Sequence, residues 1–306
     1  MEKISAAICE FIRAYVAEED ILFEEPMCRH TTFKVGGPAG CLVRISEPRQ
    51  LQAIIPYLRE VDIPYFVLGN GSNLLVGDKG YNGVVLQIGG NLNQITVEGT
   101  TIKAGAGALM SQVAKKALEE GLTGFEFASG IPGTIGGGVV MNAGAYDGEM
   151  KQVVTSVTVM NETGEILELD NEGMEFGYRN SIIKNRPFVV LEVELKLQEG
   201  NSEEIKAKMD DLSKRRREKQ PLEFPSAGST FKRPEGYFAG KLIMDAGLRG
   251  YSIGGAKVSD KHCGFVINAG NATAADVAEV IQEVQEKVKE KFGVTLEKEV
   301  IFLGDF

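Results

Sequence analysis

GFEFASGIPGTIGGGVVMNAGAYDG, residues 124–148, holds 8 glycines in 25 positions and only two charged residues, Glu126 and Asp147. A solvated linker would be rich in serine and charge. This run instead carries Phe125, Phe127, Ile131, Ile135, Val139, Val140 and Met141. Glycines among apolar residues predict a buried backbone that something approaches closely. Main-chain N–H groups with no side chains in the way are suited to phosphate. The ligand is therefore expected here.

Working outward, the chain of 306 residues is long enough for two or three domains around a sizeable core. Its 43% hydrophobic and 25% charged residues are ordinary for a globular protein, and no apolar run is long enough to span a bilayer. The start, MEKISAAICEFIRAYVAEED, reads as an amphipathic helix without a signal-peptide layout, so a cytoplasmic protein is expected. A net charge of -10 argues against nucleic acid or an anionic membrane as partner. Cys9, Cys28, Cys41 and Cys263 show no paired spacing and imply reduced thiols. With only His30 and His262 beside them, no metal site is expected.

Periodicity divides the chain into three parts, residues 1–90, 91–200 and 201–306. In the first, Leu51, Ile54, Ile55 and Leu58 share a helical face ended near Pro64. Strands are expected over 65–68, 74–76 and 83–88. The second part is mostly strand, over 94–98, 102–104, 153–160, 165–169 and 188–197, interrupted by a helix over 110–118 that Gly121 closes. In the third, Ile205, Met209 and Leu212 mark a helix that turns basic at Lys214–Arg217. Another opens on the capping box Thr273/Asp276 and is apolar at Val277, Ile281, Val284, Val288 and Phe292. A final strand is expected to begin at Glu299, within 296–304. The class is α+β with several small sheets.

A second glycine turn, VLGNGSNLLV at 67–76, sits strand–turn–strand and reads either as a pyrophosphate nest or as a plain tight hairpin. Other phosphate fingerprints fail. Gly69-x-Gly71 and Gly105-x-Gly107 lack the third glycine of a dinucleotide fold, and the segment 236–241 is too short for a P-loop. No metal-binding HExxH helix or GxSxG nucleophile elbow is present. Three polar clusters remain. Arg179 could clamp a carboxylate or a developing oxyanion, or simply face solvent. Ser229, in a loop of small residues, could approach a substrate or cap a turn. Glu299 is by default an outward or salt-bridged acid, and the basic run 214–219 a solvated helix face. On residues alone this is an enzyme-like chain with a nucleotide cofactor, its reaction open.

Seven segments in register resemble the UDP-N-acetylenolpyruvoylglucosamine reductase family. They are Thr32-Phe33-Lys34-Val35-Gly36-Gly37, Gly69-Asn70-Gly71-Ser72-Asn73, Gly130-Ile131-Pro132-Gly133, Asn142-Ala143-Gly144-Ala145-Tyr146, Tyr178-Arg179-x-Ser181, Gly228-Ser229-x-Phe231-Lys232 and Glu299-Val300. The resemblance runs from about residue 31 to 304. It implies a FAD-binding fold of two α/β subdomains, of the kind shared with vanillyl-alcohol oxidase, and a C-terminal α+β substrate domain whose last strand returns to the FAD-binding part. It also implies non-covalent FAD, and NADPH-dependent reduction of UDP-N-acetylglucosamine enolpyruvate to UDP-N-acetylmuramate for peptidoglycan, by a monomer.

By resemblance, Ser229 donates the proton at C2, and Arg179 and Glu299 stabilise the enolic intermediate. The cofactor is expected on Gly69, Asn70, Gly71, Ser72, Asn73, Gly130, Ile131, Pro132, Gly133, Thr134, Gly137, Gly138, Asn142, Gly144 and Ala145. Lys219, Arg215, His262 and Arg233 are expected at the substrate. Arg233 stands where some members have asparagine, and His262 near where another branch has glutamine. The longer branch's tyrosine lid has no counterpart between Arg179 and Lys219, so the chain resembles the shorter branch. Two rivals remain at this stage: an alcohol oxidase or dehydrogenase on the same flavin fold, and a non-catalytic nucleotide sensor.

Overall fold

The computed structural model describes residues 6–306, so the first five residues of the expected N-terminal helix lie outside the description. Within it that helix runs Ala6–Arg13. The first sheet orders its strands Ile21–Pro26, Pro38–Ile45, Tyr81–Ile88 and Tyr65–Leu68. The last three are mutually parallel, and the two central ones, Pro38–Ile45 and Tyr81–Ile88, carry near-continuous buried runs. Such runs are what a sheet covered on both faces requires. One cover is the helix Pro48–Glu60, which opens on a capping box between Glu47 and Gln50 and buries Leu51, Ile54, Ile55 and Leu58. Those four were readable from helical spacing, and each contributes about 1.5–3 kcal/mol by leaving water.

The second sheet is antiparallel, in the order Ile166–Asp170, Val154–Met160, Val189–Lys196, Thr101–Gly105 and Ile95–Glu98. Its central strand Val189–Lys196 alternates toward the core, the pattern of a sheet wet on one face. The apolar sides of both sheets close on one core, which takes in the helix Met110–Glu119 and Phe125, Phe127, Ile135 and Val139 of the glycine run.

A smaller core holds the C-terminal part. The helix Ala274–Phe292 lies against the three-stranded antiparallel sheet Ser252–Ile253, Ala256–Val258 and Val266–Asn268. Thr273 and Asp276 form its capping box and Gly293, at φ +70°, ends it. Among the elements not anticipated are the short helices Ala239–Asp245 and Ile135–Val140, the strands Ile21–Pro26 and Pro38–Ile45, and the three strands of this small sheet. The final strand is Ile301–Leu303, shorter than expected, and it pairs in parallel with Leu74–Val76 of the first part. Among the described residues, no helix is long and apolar enough to cross a membrane.

Candidate functional site

The glycine run is not an extended loop. Thr134 caps a short helix, Ile135–Val140, its hydroxyl accepting from the Gly137 N–H at 3.3 Å. The three consecutive glycines have separate duties. A Cβ on Gly136 would stand 2.9 Å from the Ala106 side chain, and one on Gly138 2.8 Å from the Met110 sulfur. Those two let the helix press into the core, while Gly137 stays exposed on the cavity side. Helical spacing was hidden because glycine carries no side chain to show it.

Opposite lies the turn 69–73. Gly71 has φ +60°, and a Cβ there would fall on the His30 carbonyl oxygen. The two turns touch. Asn70 donates from Nδ2 to the Pro132 carbonyl at 2.6 Å, and a Cβ on Gly69 would meet the Thr134 hydroxyl at 2.5 Å. Among the described residues, the main-chain N–H groups of Asn70, Gly71, Ser72, Asn73, Gly133 and Thr134 donate no hydrogen bond. Unspent amides converging on one gap fit the diphosphate of a dinucleotide. FAD thus suits the residues present, with apolar wall from Ile131, Val140 and Met141 for a flat ring.

The gap opens into a cavity of about 300 Å³ that also takes in Arg179, Ser229 and Glu299. Arg179 sits at the tip of a tight turn in which Gly177 and Asn180 exchange main-chain hydrogen bonds. Its φ is +52°, the left-handed region that costs a non-glycine residue energy and recurs at functional sites. The turn is anchored by Ser181, fully buried, whose hydroxyl donates to the Val140 carbonyl at 2.9 Å. So placed, Arg179 donates from Nε to Glu299 Oε1 at 2.8 Å and from Nη2 to the Gly144 carbonyl at 3.3 Å.

Glu299 precedes the last strand rather than lying in it, and its side chain is 15% exposed. Its N–H donates to the Thr230 carbonyl at 2.8 Å, and its own carbonyl accepts from Asn73 Nδ2 at 3.0 Å. The acid is held between the serine loop and the phosphate turn. Burial pushes its carboxyl above the ordinary value of 4.5, against the downward pull of Arg179, Lys232 and Lys184. Loss of water at this depth outweighs even the direct pairing with Arg179. Ser229 is exposed within the cavity wall, next to Gly228 at φ +75°.

Gly130 and Asn142 do not line the cavity. Gly130 backs onto the Arg216 side chain, where a Cβ would stand 3.0 Å from Cδ. Asn142 is buried and satisfied, donating to Glu149 at 3.1 Å and to the Gly177 carbonyl at 3.0 Å while accepting from the Lys151 N–H at 2.9 Å. It supports the arginine turn from behind.

None of the four expected substrate residues lines the cavity. Lys219 is exposed at the end of the helix Ser202–Lys219. Arg215 points outward and pairs with Asp211 at 2.7 Å. His262 is half-buried, its Nδ1 accepting from the Gly264 N–H at 3.1 Å, its ring against Phe265, which does line the cavity. Burial pulls its pKa down. Arg233 is exposed and lies over the Phe238 ring at 4.0 Å.

Arg216 and Gln220 are the helix residues on the cavity, and sequence reading missed both. The signal was available. Ile205, Met209 and Leu212 centre one helical face; position 216 falls in its middle and 220 near its edge, whereas 215 lies about a quarter turn away. Burial lowers the Arg216 pKa, and no carboxylate pairs with it among the described residues. A guanidinium so placed suits an anionic ligand. Arg216→Ala is expected to weaken ligand binding about tenfold or more, as loss of a charge-assisted contact does. Arg215→Ala, which removes only a surface pair, should change stability by less than about 1 kcal/mol. Substrate titration and thermal melts of both variants check this, and equal effects would refute it.

Comparison with known proteins sharpens the chemistry. Residues 39–170 match the FAD binding domain family, and residues 220–303 match the C-terminal domain of UDP-N-acetylenolpyruvoylglucosamine reductase. The chain is 55% identical to the UDP-N-acetylenolpyruvoylglucosamine reductase of Caldanaerobacter subterraneus subsp. tengcongensis, covering 96% of this chain and 97% of that protein. It is 53% identical to that of Clostridioides difficile, covering 95% of each. The crystal structure of the Thermus caldophilus enzyme superposes with a TM-score of 0.80 at 35% identity, over 93% of this chain and 98% of that one. A glucose oxidase variant of Phl p 4 shares the fold alone, with a TM-score of 0.52 at 12% identity, over 64% of this chain and 44% of that one.

Proposed function

The chain belongs to the UDP-N-acetylenolpyruvoylglucosamine reductase family and is a FAD-dependent oxidoreductase of peptidoglycan precursor synthesis; from that premise we propose which of its residues do the chemistry. FAD, when bound, would supply the hydride relay between NADPH and C3 of the enolpyruvyl group. The amides of the turns at 69–73 and 133–134 would hold its diphosphate, and Gly137, Gly138, Gly144 and Ala145 would line its ring system. Residues 1–90 and 91–200 form the cofactor part, and residues 201–306 bring the substrate to it.

Hydride addition at C3 leaves negative charge on C2 and the adjoining carboxylate. Arg179 offsets that charge through its guanidinium. Glu299, when protonated, donates a hydrogen bond to the same group, and an incoming substrate carboxylate favours its protonated form further. Ser229 delivers its hydroxyl proton to C2, solvent restores that proton, and the double bond has gained one hydride and one proton. A serine is a feeble acid, so the step depends on holding it within hydrogen-bond reach of C2. Arg216 supplies cationic wall for the phosphates or carboxylate. Lys219 and Arg233 lie outside the cavity wall, so they take part only if the bound substrate extends beyond it.

What supports this reading is the enclosure of Ser229, Arg179 and Glu299 in one cavity with both glycine turns. The test is stopped-flow absorbance, in which NADPH should bleach the flavin and the enolpyruvyl sugar nucleotide should restore its colour. Failure of the second step alone would leave a generic flavin oxidoreductase. Free cysteines at 9, 28, 41 and 263 fit a reducing cytoplasm, and a cavity built from one chain lets a monomer suffice. Cell shape and division would then depend on the wall polymer its product feeds.

The pH dependence has a definite sign. Glu299 can donate only when protonated, a form present below its raised pKa and lost as pH rises through it. Flavin reoxidation by substrate is therefore expected to fall on the alkaline side, beginning above the usual carboxylate range. In Glu299→Gln, which cannot ionise, the absolute rate drops and this limb disappears. A limb persisting at the same pH in that variant would assign it to another group.

A further inference from the structure

The segment Thr32–Gly37, prominent in the sequence, takes no part in the cavity wall. It does join the two halves of the site. The Thr32 N–H donates to the Gly71 carbonyl at 3.1 Å, at the centre of the phosphate turn. The Thr32 hydroxyl donates to the Ser226 carbonyl at 2.6 Å, three residues before Ser229. One residue thus bonds to both turns, from its main chain to one and its side chain to the other.

The following residues hold it there. Phe33 and Val35 are buried in the C-terminal core with Ala227 and Phe231, which flank Ser229. Asn268 donates from Nδ2 to the Phe33 carbonyl at 3.2 Å, and its own N–H donates to the Pro225 carbonyl at 2.9 Å. The far side of the serine loop is fixed by main-chain bonds from Thr230 to Gly264 and from Glu299 to Thr230. Among the described residues, the Thr32 hydroxyl bond is the one direct hydrogen bond between the near side of that loop and the strap that grips Gly71.

We propose that Thr32 is a positioning residue for the reaction, fixing the register between the cofactor turn and the loop that presents Ser229. The inference rests on the reading of Ser229 given above. Proton delivery to carbon by a weak acid is sensitive to placement, and a misplacement of about 1 Å costs on the order of a hundredfold in rate. Hydride transfer to the flavin from a nicotinamide does not involve the serine loop and tolerates such a shift.

The test uses full-length holoenzyme with the flavin reduced anaerobically by dithionite, then mixed with the enolpyruvyl sugar nucleotide in H2O and in D2O. Thr32→Val keeps the branched shape and removes the hydroxyl. It should slow reoxidation about tenfold to a hundredfold and enlarge the solvent isotope effect on that step, with flavin content and reduction by NADPH changed less than about threefold. Thr32→Ser restores the hydroxyl and should recover most of the rate. Should valine prevent folding, Thr32→Ala removes the same donor without bulk, and the same split must appear. An unchanged isotope effect, equal loss in both half-reactions, or no recovery with serine overturns the proposal while leaving the assigned reaction intact. Wild-type protein that is not reoxidised by this substrate overturns the reading of Ser229 and the proposal with it.

Discussion

Ser229→Ala is expected to keep its yellow colour and its reduction by NADPH while losing turnover of the enolpyruvyl substrate. The loss should be about 10²–10⁴-fold, the range for removing one positioned general acid. The serine loop is pinned by main-chain bonds at Thr230 and by pairing at Ser226, neither of which needs the Ser229 side chain. Stability should accordingly change by less than about 0.5 kcal/mol, as for an exposed side chain without structural duty. Single-turnover stopped-flow separates the half-reactions. If reduction and reoxidation fall together, the hydroxyl serves the cofactor rather than the proton, and the role given to this serine is wrong.

Gly71→Ala should give a colourless or poorly folded protein. Two costs combine at this position. The φ of +60° is unfavourable for alanine by about 1–2 kcal/mol. The new methyl would also fall on the His30 carbonyl oxygen and 3.0 Å from the Thr31 Cα, both main-chain atoms that cannot step aside. Relieving the clash means moving the turn, which breaks the Thr32 bond to the Gly71 carbonyl and scatters the amides meant for the diphosphate. A total of about 3 kcal/mol or more is a large share of the roughly 5–15 kcal/mol that holds a domain folded. Gly133→Ala is the control for folding alone, because a Cβ there meets only the Ser72 hydroxyl at an ordinary 3.6 Å. Absorbance at the flavin band and a thermal melt decide the matter. Normal flavin content in Gly71→Ala would show that the turn does not cradle the cofactor.

The legible elements were those with a strong period or a marked β-branched content. The helix Pro48–Glu60 and the helix Ala274–Phe292 were visible because their apolar residues repeat at helical spacing and their caps are side chains. The hairpin strands of the second sheet were visible through their β-branched content. Pro38–Ile45 was overlooked, since a parallel strand buried on both faces has no alternation to read. The helix Ile135–Val140 was overlooked because three of its six residues are glycine. Arg215 was chosen over Arg216 because a run of like charges hides the helical phase that Leu212 could have set.

Local order in the chain determined where backbone would be bare, where helices begin and end, and which residue types could carry phosphate, charge and proton. Those are short-range matters, governed by φ limits, caps and periodicity within a few residues. Pairings across more than a hundred residues were decided only in three dimensions: Arg179 with Glu299, Asn73 with the Glu299 carbonyl, Thr32 with Ser226. The two that involve Glu299 adjoin the pairing of the last strand with Leu74–Val76, a contact that no local spacing encodes. Burial of Glu299 follows from that same closure, and with it the raised pKa that lets a carboxyl act as a donor.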